Sequence, residues 1–146
     1  MIEIEGGCQC GAVRYAGTLD TDEAYFCHCR MCQRATGGVA AALVNARRDA
    51  VTWSGRPRDL YRSSPFAHRG HCALCGTPLT FEYDAGSDML DLTVGSLDEP
   101  GLVRLASHFG VESWVPGWIH DDTLPHLRTD EHPPLVERWA AVHKAE

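Results

Sequence analysis

Six consecutive residues in the first quarter of the chain carry more ligands for a soft metal than any other stretch. Cys27-His28-Cys29-Arg30-Met31-Cys32 supplies three thiols and one imidazole. Disulfides between such close neighbours would be strained, whereas a metal ion accepts their geometry. Thiolate ligands in an implied tetrahedral arrangement favour Zn²⁺ over Mg²⁺ or Ca²⁺, although sulfur ligands alone leave Fe and Cu(I) open. We interpret this stretch as a zinc site.

The remaining four cysteines form two pairs, and each pair is followed by glycine. The pairs are Cys8 with Cys10 and Cys72 with Cys75. A glycine at this position allows the sharp backbone turn of a zinc knuckle, whereas a glutamine follows the last cysteine of the first cluster. This difference indicates one site of four ligands and one site of three.

The number of ligands suggests a different role for each site. A structural zinc normally has four protein ligands, whereas a catalytic zinc keeps one position for water or substrate. We therefore predict two Zn²⁺ per chain, one structural and one catalytic. The structural ligands are Cys8, Cys10, Cys72 and Cys75. The catalytic ligands are Cys27, Cys29 and Cys32. An alternative remains open in which His28 or another histidine closes the second site, since Cys₃His is a common structural set.

Length and composition predict one domain over residues 1–146. The chain is 44% hydrophobic and 23% charged, which is typical of a globular protein with its own core. No apolar run approaches the length of a membrane span or a signal peptide, so we expect no membrane partner. Seven cysteines in tight clusters fit metal ligation in a reducing compartment better than disulfides, which favours the cytoplasm.

The net charge of −7 opposes a role in binding nucleic acid. Non-specific binding to nucleic acid draws most of its energy from clustered lysine and arginine. We therefore expect no nucleic-acid partner, while the sequence leaves the oligomeric state open.

Short alternating segments separated by turns predict a mainly β fold with short helical segments. Residues 79–83 and 90–94 alternate and are joined by a loop, which predicts a hairpin. Residues 30–35 predict one helical turn that ends at Thr36-Gly37-Gly38. Near the C-terminus, apolar residues at helical spacing predict an amphipathic helix that packs on the core. They are Leu135, Val136, Trp139 and Val142.

Three motifs together resemble the glutathione-dependent formaldehyde-activating enzyme family, to which centromere protein V is also related. The family pattern is G-x-C-x-C-G, then C-H-C-x-x-C, then C-x-x-C-G. The matching segments are Gly6 to Gly11, Cys27 to Cys32 and Cys72 to Gly76. Similar order and spacing extend over most of the chain and include His108 and the segment from Trp118 to Pro125.

The resemblance implies an Mss4-like fold of coiled antiparallel β-sheets around zinc knuckles, with two zincs in a single zinc-binding domain. It also implies that the four-thiolate site is structural and the C-H-C-x-x-C site catalytic. The implied activity is a carbon-sulfur lyase that reversibly adds the thiol of glutathione to formaldehyde, giving S-hydroxymethylglutathione. The physiological thiol and small aldehyde of this chain stay open.

An open zinc lowers the pKa of a bound thiol, and thiol activation is our favoured mechanism because three thiolates already weaken the zinc as a Lewis acid. His28 and His108 are candidates for proton transfer, since imidazole titrates near neutral pH. One alternative is a non-catalytic zinc-stabilised module that binds a thiol or a protein. Another is a zinc store or redox switch that releases its metal on mild oxidation.

Overall fold

The computed structural model describes residues 1–120 and 123–145, and in these ranges the chain is mostly β. Asp121 and Asp122, inside the C-terminal segment that resembles the family, lie outside the described residues. The strands are β1 Ile2–Gly7, β2 Val13–Leu19, β3 Glu23–Cys27, β4 Ala41–Arg47, β5 Val51–Gly55, β6 Asp59–Ser64, β7 Ala67–His71, β8 Pro78–Tyr83, β9 Met89–Thr93, β10 Arg104–Phe109 and β11 His126–Leu127. The helices are α1 Arg30–Thr36 and α2 Pro133–Ala145. The predicted mainly β class is confirmed.

The described chain forms two compact units, each assembled from two separate stretches. The first unit contains Met1–Ala24 and Ala42–Leu105. The second contains Tyr25–Ala41 and the described part of 106–146. A single domain over the whole chain stays a prediction.

Antiparallel strands build the first unit. One sheet has the order β1-β2-β5, with Ile4 opposite Gly17. A second run has the order β4-β9-β8-β7-β6. Within it, β8 and β9 pair antiparallel with Thr80 opposite Leu92, which confirms the predicted hairpin.

Alternation along these strands places one face of each in the core of the first unit. Val13, Leu19, Leu79 and Leu92 have no solvent-exposed surface. The buried core also includes the side chains of Cys8 and Cys72. Predicted metal ligands are therefore also part of the hydrophobic core.

The second unit combines strands with the two helices. β10 pairs with β11 in parallel, with His108 opposite His126. Helix α1 ends at Thr36, and Gly37 caps it with φ 78° and an N–H donated to the carbonyl of Gln33, so the predicted stop is confirmed. Neither helix in the described ranges is long and apolar enough to cross a membrane.

The expectation that the C-terminal helix packs on the core is wrong. Helix α2 forms where the apolar spacing predicts it, but none of its described residues is buried. Leu135, Trp139 and Val142 are only partly covered, and Val136 is 43% exposed. Helical spacing predicts a helix with an apolar side but does not show what covers that side.

Gly6 provides a test of the packing between β1 and its neighbours in the first unit. A Cβ atom at Gly6 would collide with the Tyr15 hydroxyl and the Ser96 carbonyl oxygen. Tyr15 is buried, and its hydroxyl is 2.8 Å from that of Ser96, so neither group can easily move. We expect Gly6→Ala to lower the free energy of unfolding by about 1–3 kcal/mol in denaturant titrations.

Gly95→Ala is the matched control, because a Cβ atom at Gly95 meets no heavy atom within 4 Å. We expect this variant to stay within about 0.5 kcal/mol of the wild type. Equal losses in the two variants would contradict the packing argument.

Candidate metal centres

The four cysteines predicted to form the structural site come together in the first unit. Their sulfur atoms all lie within 4.8 Å of one another. The Cys8 and Cys10 sulfurs are 3.5 Å apart, and those of Cys10 and Cys72 are 3.8 Å apart. Sulfurs around a tetrahedral zinc, with Zn–S near 2.3 Å, lie about 3.8 Å from one another. All seven cysteines are free thiols, and this group could hold a metal ion.

Tight backbone turns bring each pair of these thiols to the site. Gly11 and Gly76 both have φ 79°, a left-handed conformation that favours glycine. Gly76 donates its N–H to the Cys72 carbonyl at 2.7 Å, which closes the second turn. In the first turn, the N–H of Val13 donates to the Cys8 sulfur at 3.2 Å. Such bonds stabilise sulfur in its thiolate form.

Thr77 connects the two turns. Its hydroxyl oxygen accepts the Gln9 backbone N–H at 3.0 Å and lies 3.2 Å from the Cys75 sulfur. Hydrogen bonds from the Thr77 hydroxyl and backbone N–H lower the pKa of Cys75 to about 5. At least one ligand of this site is therefore prepared to bind a cation as a thiolate.

The three cysteines of the C-H-C-x-x-C motif come together in the second unit, again with their sulfurs within 4.8 Å. Cys27 ends β3, Cys29 caps helix α1, and Cys32 lies in its first turn. The N–H of Cys32 donates to the Cys29 sulfur at 3.3 Å. Cys27 and Cys32 are buried, whereas Cys29 is only partly buried. Among these three residues, Cys29 is therefore the most exposed to solvent.

This second group contains three ligand atoms among the described residues. No histidine nitrogen, carboxylate oxygen or further sulfur from residues 1–120 and 123–145 joins it within the same 4.8 Å. Nε2 of His28 lies instead 2.8 Å from Nδ1 of His108. The arrangement in which His28 closes the site is therefore not the one found.

The electrostatics of the three-thiol group favour a bound cation. Hydrogen bonds with the thiols of Cys29 and Cys32, together with burial, raise the pKa of Cys27. Crowded thiols ionise together only with difficulty unless a positive charge compensates them. A soft cation supplies that charge, and binding it releases the thiol protons.

An aromatic cluster lies next to the motif in the second unit, and we call it the imidazole cluster. It consists of His28, His108, Trp114, Phe26 and His126. His28 and His108 are each 1% exposed, and the Trp114 ring stacks on His28 with ring centroids 4.2 Å apart. Proton transfer by His28 or His108 stays a hypothesis, but their burial and mutual hydrogen bond favour a role in holding the motif in place.

Sequence reasoning also missed the role of Gln33 in holding the C-H-C-x-x-C motif in place. Gln33 is 5% exposed, and its side-chain nitrogen donates to the carbonyls of His28, Val39 and Ser113 at 2.8, 3.0 and 3.0 Å. These bonds connect the motif to two other parts of the second unit. The sequence signal is weak, because glutamine after a cysteine is equally consistent with a solvent-exposed helix position.

Serine substitutions should separate the two sites by their effect on stability. Binding free energy at a structural zinc site is folding free energy, on the order of 10 kcal/mol. We expect Cys72→Ser to abolish the cooperative thermal unfolding of the protein, measured by circular dichroism. Cys29→Ser should keep that transition, because serine is a good helix N-cap in place of the cysteine sulfur.

Addition of a strong chelator to the wild type should reproduce the Cys72→Ser result. If Cys29→Ser melts the protein as completely as Cys72→Ser, the assignment of a stabilising role to the four-thiol site is wrong.

Comparison with known proteins identifies the family. The model of the family described as glutathione-dependent formaldehyde-activating enzyme matches residues 3–114. An uncharacterized lyase of Schizosaccharomyces pombe (strain 972) is 31% identical over 88 residues, which cover 60% of this chain and 64% of that relative, just under two thirds of its length. A crystal structure of a Rhodobacter sphaeroides protein, 19% identical, covers 84% of this chain and 98% of that chain with a TM-score of 0.55, a likeness of fold. Because the family model matches well over half of the chain, the chain belongs to the glutathione-dependent formaldehyde-activating enzyme family.

Proposed function

We propose that this chain is a zinc-dependent carbon-sulfur lyase that adds the thiol of glutathione to formaldehyde or another small aldehyde. The family membership and the lyase name of the Schizosaccharomyces pombe relative support the reaction class. The observation that carries the proposal is the three-thiol group, which has no fourth protein ligand among the described residues. Such a site leaves a position for a substrate.

The two cysteine groups have different roles in this proposal. Cys8, Cys10, Cys72 and Cys75 hold a structural zinc, and Cys27, Cys29 and Cys32 hold the catalytic one. Two observations support the division. The first group has a full tetrahedral set and two sulfurs in the core, whereas the second has three ligands and a partly exposed Cys29.

The reaction adds the S–H of the thiol across the C=O of the aldehyde. The sulfur forms a bond to the carbonyl carbon, the carbonyl π bond breaks, and the thiol proton ends on the oxygen. A zinc ion held by Cys27, Cys29 and Cys32 would lower the pKa of the incoming thiol, so that thiolate would be available at neutral pH. Because both substrates and the product are small and polar, the site needs access from solvent, which Cys29 has and the other two cysteines lack.

The chain's own residues hold the three sulfurs in place. Helix α1 carries Cys32, and its N-terminal hydrogen bond fixes Cys29 relative to it. The buried amide of Gln33 then ties this helix to the carbonyl of His28. A site fixed by bonded backbone keeps its ligands close to the geometry that binding requires.

We further propose that residues 1–146 act as one zinc-binding domain with small-molecule partners. The chain passes three times between the two units, so neither unit is a continuous stretch that could be cut away. Clustered free cysteines support a reducing compartment such as the cytoplasm.

The proposal is tested by the rate at which glutathione and formaldehyde exchange with S-hydroxymethylglutathione, measured by exchange NMR with and without the protein. A rate is required because the uncatalysed addition reaches the same equilibrium. We expect the zinc-loaded protein to accelerate the exchange and Cys29→Ser to lose at least about a hundredfold of that acceleration.

Met31→Leu is the control, because Met31 lies within the same motif, is 39% exposed and supplies no ligand to the group. It should keep the wild-type rate. If the zinc-loaded wild type gives no acceleration, the lyase proposal fails for these substrates and a thiol-binding module becomes the better account.

A further inference from the structure

The end of strand β10 lies directly against the C-H-C part of the motif within the second unit. We call residues 108–110 the positioning segment. The N–H of His28 donates to the carbonyl of Phe109 at 2.8 Å. Next to that bond, the ring nitrogens of His28 and His108 are 2.8 Å apart. One backbone bond and one side-chain bond therefore hold the residue between the first two cysteines.

Gly110 makes the closest approach to a predicted ligand. A Cβ atom placed on Gly110 would lie 2.9 Å from the backbone nitrogen of Cys29, 3.2 Å from its Cβ and 3.3 Å from its Cα. These are atoms of the backbone and its first side-chain carbon, not the end of a flexible side chain. Because such contacts are too short, a side chain at Gly110 would push Cys29 away from its place.

The positioning segment is itself held firmly on its other side. The N–H of His108 donates to the carbonyl of Pro125 at 2.8 Å, and the N–H of Gly110 donates to the carbonyl of Leu127 at 2.7 Å. His108 is 1% exposed, and its ring lies 4.5 Å from the Trp114 ring, centroid to centroid. Because the segment is held on its other side, a collision at Gly110 would be relieved at least in part by displacement of Cys29.

We propose that residues 108–110 position the sulfur of Cys29 for metal binding, with Gly110 setting the distance and His108 setting the orientation of the loop through His28. The inference rests on the proposed metal site and adds to it two positioning residues about 80 positions away in sequence. Neither residue is a ligand in this account. Each acts through the Cys27–Cys29 loop, whose sulfurs must converge to within a few tenths of an ångström for a metal to bind all of them well.

The test compares Gly110→Ala with Gly117→Ala. Both glycines have positive φ, 69° and 87°, so alanine introduces backbone strain in each. Only Gly110 would contact Cys29, because a Cβ atom at Gly117 meets nothing within 4 Å. Any difference between the two variants in metal binding therefore reports the contact with Cys29.

The readout is binding of a second equivalent of Co²⁺ by protein that a first equivalent at the four-thiol site has already folded, followed by the sulfur-to-cobalt absorption and by competition with a chelator. Cys29→Ser provides the spectrum of the four-thiol site alone. We expect Gly110→Ala to bind the second equivalent of Co²⁺ at least about tenfold more weakly and to change the sulfur-to-cobalt absorption. Gly117→Ala should keep wild-type binding. Equal Co²⁺ affinity in the two variants would overturn the role of Gly110.

A second pair of variants tests His108 independently. Asparagine can present a polar side-chain atom near the place of Nδ1, whereas leucine of similar size cannot. We expect His108→Leu to weaken the second Co²⁺ equivalent and His108→Asn to recover most of that loss. If both variants behave alike, the hydrogen bond to His28 does not position the loop.

These measurements need no substrate, so they separate the inference from the proposed reaction. Normal Co²⁺ binding by the wild type without any exchange activity would end the lyase proposal and leave the positioning role standing. Loss of exchange in Cys29→Ser with unchanged Co²⁺ binding in Gly110→Ala would support the lyase proposal and end the positioning role of Gly110. Circular dichroism of each variant confirms that the comparison is made on folded protein.

Discussion

The convergence of thiol sulfurs at separations suited to a metal ion is the constraint on which this structure depends. Seven thiols lie in two groups, each within 4.8 Å, and none of them forms a disulfide. In the second group, hydrogen bonds with the Cys29 and Cys32 thiols raise the pKa of Cys27, and crowded thiols resist ionising together without a cation. Since Cys8 and Cys72 also belong to the hydrophobic core of the first unit, binding of a metal there would be coupled to folding.

The two thiol groups differ in the backbone conformation that follows their cysteines. In the first, Gly11 and Gly76 turn the backbone sharply, so that two pairs of sulfurs close on one another. In the second, the chain continues from Cys29 into helix α1, and no further ligand from the described residues joins the group. Four ligands from two tight turns are typical of a structural metal site, whereas three ligands at the start of a helix leave a coordination position for a substrate. Local backbone conformation thus underlies the proposed division between a structural and a catalytic site.

Sequence reasoning recovered what depends on local pattern. The glycines after Cys10 and Cys75, the stop at Gly37 and the β8–β9 hairpin are each determined by neighbouring residues. It did not predict that helix α2 buries none of its described residues, because apolar spacing does not reveal a partner. It also missed the contacts of Gln33 with Ser113 and of Cys29 with Gly110. These join residues about 80 positions apart, and one sequence carries no signal for such pairs.

The central claim is that one zinc has four sulfur ligands and the other has three with a position open to a thiol. Zinc X-ray absorption of the fully loaded protein tests it most directly, because it counts the sulfur neighbours of the metal. The account predicts an average of about 3.5 sulfurs per zinc, from four at one site and three at the other, which rises toward four when glutathione is added. An average that glutathione leaves unchanged, or the scattering of a coordinated imidazole, would contradict it.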